Sequence, residues 1–153
     1  TDGYTALAAA DLLLRTDQAG AVLKLLADQP ASDAVLLRRA YAMKLQKDPQ
    51  WQALSTELQA RFAALDQRGD DPATHARERA LAYLWLDADA AKAWASAKLN
   101  LTLQKEPLDW WLALQCAQRA GQTAELARLR SEVAATGLRD ARLSRLLSTG
   151  KTL

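Results

Sequence analysis

The chain has 153 residues, half of them hydrophobic and a quarter charged, with 20 Lys and Arg against 18 Asp and Glu. That is enough chain for a buried core, and a net charge of +2 is too balanced to mark a nucleic-acid binder by itself. The single cysteine excludes an internal disulfide and a thiolate metal site, and no apolar run approaches the roughly 18 residues of a membrane span.

Ala, Leu, Gln and Arg dominate, Gly and Pro are scarce, and no β-branched run alternates in the strand manner. The chain reads as all-α. Punctuation divides it into about nine helices, near 3–15, 18–28, 33–46, 50–66, 73–86, 89–104, 108–120, 123–136 and 140–148. "LLRTDQAG" breaks the first helix near Thr16, and "DQPASD" breaks the second at Pro30. Ser32 then offers an N-cap, with Asp33 in the first turn. Asp48 with Pro49, and Asp71 with Pro72, offer caps followed by Pro at the first helical position. Gly121 ends a helix, and Gly137 reads as a left-handed C-cap. Each helix carries one apolar stripe, clearest in Trp51, Leu54, Leu58, Phe62 and Leu65. Short loops imply antiparallel neighbours, and no linker long enough to separate domains is visible. The expectation is one domain over 1–153, closed by a capping helix near 140–148 that carries Leu143, Leu146 and Leu147 beside Arg142, Ser144 and Arg145.

Paired helices begin near residues 3, 33, 73 and 108, the spacing of helix-hairpin solenoids. Sliding "ERALAYLWLDADAAKAW" onto "WLALQCAQRAGQTAELA" by 33 residues superposes Leu81 on Leu114, Leu84 on Ala117 and Ala93 on Leu126. Here the chain resembles the tetratricopeptide repeat. Trp110, Ala113, Leu114, Ala117, Gly121 and Ala124 carry that look, with Pro30, Pro72 and Pro107 between repeats. The repeat near Pro72 departs from the pattern, with Ala88 where the turn glycine belongs. The wording "SDAVLLRRAYAMK" and "LRDARLSRLL" is also similar to a group of uncharacterised bacterial repeat proteins, often exported. The resemblance implies a right-handed superhelix of stacked hairpins; it leaves the compartment open, favouring a periplasmic or exported location slightly over a cytoplasmic one, with any signal segment removed ahead of Thr1.

"EPLDWWLALQCAQRAGQ" sets two tryptophans side by side. Adjacent helical residues point about 100° apart, so both cannot face one core. Trp110 continues along an apolar line through Ala113, Leu114 and Ala117, and is expected inside. Trp111 continues along a polar line through Gln115, Gln118 and Gln122. In the resembled family the first helices of successive hairpins line a concave groove. The motif places Trp111, Gln115, Gln118 and Arg119 on that wall, and the repeat shift adds Glu78, Ala82, Trp85 and Leu86. Trp and Arg anchor many interfaces, and amide side chains can bond an extended backbone. The plainer account is that a Trp between two neighbouring helices is core, which is how Trp51 and Trp94 read.

No reaction chemistry stands out. His75 is the only histidine and opens a helix after Pro72. Cys116 lies mid-helix in a different hairpin, out of position for a nucleophile–base pair. No Gly-rich phosphate loop occurs. "NLT" at 100–102 matches a glycosylation acceptor but falls within a helix. The Lys and Asn that grip a peptide C-terminus in some tetratricopeptide proteins are replaced here by Gln and Trp. From Leu126 onward Arg128, Arg130, Arg139, Arg142, Arg145 and Lys151 outweigh Glu132 and Asp140, yet no aromatic lies among them to stack a base. The expectation is a non-enzymatic protein- or peptide-binding scaffold with no catalytic residue, no metal, no cofactor and no nucleic-acid partner. The alternative is a structural or homo-oligomerising domain without a separate ligand site.

Overall fold

The computed structural model describes residues 2–138, 140, 143 and 144. Among the described residues every regular element is helical: α1 (Gly3–Arg15), α2 (Ala19–Leu26), α3 (Asp33–Leu45), α4 (Trp51–Arg68), α5 (Ala76–Ala82), α6 (Ala90–Asn100), α7 (Pro107–Arg119) and α8 (Thr123–Thr136). Among the described residues eight α-helices stand where nine were expected in the chain. Of the capping helix expected near 140–148 only Asp140, buried Leu143 and exposed Ser144 are among the described residues, and the Ser144 amide donates to the Asp140 carbonyl at 2.9 Å. The chain divides at Asp70 and Asp71 into two compact units, a division the short connector gave no sign of.

Four helices form the first unit. Asp2 caps α1 by accepting the Thr5 amide at 2.9 Å, and Ser32 caps α3 by accepting the Val35 amide at 3.2 Å. Asp48 does not cap α4; its carboxylate takes the Gln50 amide at 3.0 Å, and the helix starts at Trp51. The core joins Ala6 and Ala10 of α1, Val22 and Leu26 of α2, and Val35 and Ala42 of α3. Each buried leucine stabilises by about 1.5–3 kcal/mol. In α4 the expected stripe is buried at Leu58, Phe62 and Leu65, while Trp51 stays half-buried beneath Lys44 Nζ, 4.9 Å from the ring centre. Arg38 is 3 % exposed and spans from α3 to α1, donating to both oxygens of Asp11 at 3.0 and 3.3 Å. Arg61 ties α4 to the start of α3 by donating to the Ala31 carbonyl at 2.8 Å.

In the second unit the expected helix over 73–86 is three pieces. Pro72–His75 is a 3-10 turn capped by Asp71, α5 follows, and Tyr83–Asp87 winds as a π turn. The remainder is α6, packed on α5, then α7 on α6 and α8 on α7.

The turns inside the hairpins explain the π segment. α1, α3 and α7 end alike, with one left-handed residue (Asp17, Lys47 and Gly121, φ 57°, 60° and 68°). In each the next amide bonds five residues back: Gln18 to Leu13, Asp48 to Met43 and Gln122 to Ala117, all at 2.9 Å. This is the Schellman closure. The hairpin of α5 and α6 also has a left-handed residue, Ala88 at φ 51°, but Asp89 reaches six residues back to Tyr83 at 3.1 Å. The wider turn changes which side chains point inward. Two residues before the left-handed position the other three hairpins hold exposed Arg15, Leu45 and Arg119, whereas here Leu86 is 3 % exposed. A residue that the repeat pattern puts on a groove wall is thereby turned into the core.

Left-handed backbone costs a side-chain-bearing residue about 1–2 kcal/mol, partly offset by the entropy that glycine loses on folding. Lys47→Gly and Ala88→Gly are each expected to raise the free energy of unfolding by about 0.5–1 kcal/mol. Urea titrations check this; a loss of stability at either position would contradict the backbone assignment.

Candidate functional site

The site grows from the start of α7. The sequence "KEPLD" puts Pro107 at the first position and Asp109 three residues after Glu106, the spacing at which a side chain can turn back to the cap. Asp109 does so: its Oδ2 accepts the Glu106 amide at 2.9 Å. Its carboxylate is wholly buried, and three further donors converge on it. Arg77 of α5 donates through Nε to Oδ1 and through Nη2 to Oδ2, both at 2.7 Å. Asn100, at the end of α6, donates through Nδ2 to Oδ1 at 2.6 Å. Arg77 Nη2 also reaches the largely exposed Glu106 carboxylate at 3.1 Å. Burial presses the Arg77 guanidinium down, but its hydrogen bonds to Asp109 and Glu106 and their charge more than reverse this, so it is held above its ordinary value. The network joins three elements through one buried anion.

Immediately after Asp109 the tryptophans separate as their directions require. Trp110 is 4 % exposed and Trp111 is half-buried. The polar line beyond Trp111 is not an open wall. Gln115 is 2 % exposed, and every residue from Leu112 to Ala117 is buried, because α5, α6 and α8 all pack against α7. Gln115 is therefore corrected from groove wall to interior, and its Oε1 meets no donor. Gln118 is half-buried and Arg119 exposed. On the α5 side Glu78 and Trp85 are half-buried, while Ala82 and Leu86 are interior. The surface residues of the expected set are thus Trp111, Gln118, Arg119, Glu78 and Trp85.

The sequence reading missed Arg77, Asn100 and Asp109. The Glu106–Asp109 spacing was the available signal, and nothing local marks Arg77, 32 positions earlier. Asn100 was noticed for a different chemistry. The nitrogen a glycan would occupy is wholly buried and spent on Asp109.

His75 closes the 3-10 turn and is half-buried. Cys116 is wholly buried, and burial pushes its thiol up to about 12 against the smaller opposing pull of Arg119. Such a thiol stays protonated at neutral pH and is no nucleophile. Among the described residues no three His, Cys, Asp or Glu side chains gather in a metal-holding group, and no helix is long and apolar enough to cross a membrane. Comparison with protein-family models, with curated proteins and with solved structures finds no match.

The thiol has a consequence for stability. Between an unfolded value near 9.0 and a folded value of about 12, only the unfolded chain releases the proton. Stability should therefore fall as pH rises through that window, at a slope of about 1.4 kcal/mol per pH unit. Comparing wild type with Cys116→Ala by urea unfolding between pH 8 and pH 10.5, a range chosen to span the onset, isolates the effect; equal slopes would contradict it.

Proposed function

We propose that the chain is a non-enzymatic helical-repeat scaffold of the tetratricopeptide type that docks a protein or peptide. The reading is supported above all by the Trp111 position. α7 is surrounded on the 112–117 stretch, yet it leaves a large aromatic half-exposed directly beside a buried twin. Trp and Arg are the side chains that most often carry interface energy, and Gln118 and Arg119 follow Trp111 on α7 by seven and eight residues, about two helical turns. Glu78 and Trp85 extend the candidate surface to α5 and the π turn. The hairpins of the second unit, with one left-handed residue in each turn, support the repeat reading. Buried Gln115 contributes packing rather than contact.

A second copy of the chain is the second reading. Leu99, near the end of α6, and Leu103, in the turn that follows, are 37 % and 57 % exposed and favour it. Sedimentation distinguishes the two: a monomer at micromolar concentration favours the docking surface, and a stable dimer favours self-association.

Screening a peptide library by tryptophan fluorescence and then titrating the best binder tests the site. Trp111→Ala is expected to weaken Kd at least tenfold, about 1.4 kcal/mol. Gln115→Met, with the residue already inside, is expected to leave Kd within about threefold. Unchanged binding in Trp111→Ala would remove that residue from the surface.

A further inference from the structure

Two adjacent tryptophans are chemically identical, so apolar burial alone does not choose between them. Rotating α7 by about 100° would bring Trp110 to the direction Trp111 now takes and carry Trp111 on into the interior direction of Leu112. Burying Trp110 even carries a cost, because its indole Nε1 is enclosed with no hydrogen-bond partner. Trp111, at the surface, has no such penalty built in. The apolar line of Ala113, Leu114 and Ala117 gives only partial guidance, because Leu112, Gln115 and Cys116 on the other directions of the helix are buried as well. Some directional contact must therefore fix the rotation.

The one strongly directional contact at this end of α7 is Asp109. It lies one residue before the pair, faces inward with no exposure, and is held from α5 by Arg77, from α6 by Asn100 and from its own cap by the Glu106 amide. A carboxylate gripped in the plane of a guanidinium fork tolerates little rotation. The geometry points to Asp109, with Arg77 and Asn100, as the positioning group that decides which tryptophan is buried and which is presented. The same rotation would carry Asp109 out of this grip and strand the Arg77 guanidinium in a site that is largely enclosed. The swapped arrangement is thus disfavoured by charge. This assignment rests on the docking reading only for its functional meaning; the rotation itself is measured without any partner.

Labelling with 5-fluorotryptophan gives one resonance per tryptophan, assigned by Trp110→Phe and Trp111→Phe. In wild type the Trp111 fluorine should shift between H2O and D2O, and the Trp110 fluorine should not. The decisive variant replaces the network by apolar side chains: Arg77→Met, Asn100→Leu and Asp109→Leu together. Replacing a whole buried ion pair in this way is often neutral for stability, so Tm should remain within about 4 °C, the shift that 1 kcal/mol gives in a domain of this size. The solvent contrast between Trp110 and Trp111 should collapse, with doubled or broadened lines for both. A variant that keeps the wild-type contrast would overturn the assignment. So would one that no longer folds, since the group would then supply stability and not direction. Failure of peptide docking with this result intact would sink only the docking reading.

Discussion

A carboxylate with no access to water is tolerable only if its charge and lone pairs are met. Asp109 satisfies that condition with four donors drawn from α5, α6 and its own helix cap. The consequence is geometric. Once the start of α7 is bound to Arg77 and Asn100, the directions of the following residues are set by the helical repeat, and with them the interior row from Leu112 to Ala117 and the surface group of Trp111, Gln118 and Arg119. The first unit uses a related device, Arg38 on Asp11, to hold α3 against α1. In both units an arginine joins alternate helices, where small alanines leave close approach but little directional preference.

The hairpin turns show a second constraint acting against local preference. Three of them close with one left-handed residue at the same position and a bond five residues back, which is the arrangement a helix end adopts readily. The turn of α5 and α6 gives up that pattern for a π turn and places an alanine in left-handed backbone. What it gains is visible in Leu86, which moves inside while Trp85 stays partly out. Burying such an aliphatic side chain stabilises by about 1.5–3 kcal/mol, which offsets the departure from the usual closure.

Much of the architecture was legible from residue chemistry. Caps and breakers located α1, α3, α7 and α8 to within a residue or so, since Ser32, Pro107, Gly121 and Gly137 act through local backbone geometry. Ala88 was correctly identified as standing at the glycine position, but the π turn before it depends on what Leu86 packs against, which no local pattern encodes. The buried Trp110 and half-buried Trp111 follow the apolar and polar lines along α7. Gln115 was misplaced because polarity was taken to mean exposure, and the number of neighbours around α7 is a tertiary fact. The buried network escaped for the same reason. Asp109 and Arg77 look like ordinary surface charges until the fold brings them together.

The central claim is that Arg77 and Asp109 act as one buried pair. A double-mutant cycle in urea, with Arg77→Met, Asp109→Leu and the combination, measures it most directly. Each single change should cost about 3–5 kcal/mol, because each leaves a buried charge without its partner, and the combination should recover a large part of that loss, with a coupling of at least about 2 kcal/mol. Single effects below about 1 kcal/mol that simply add would contradict the account.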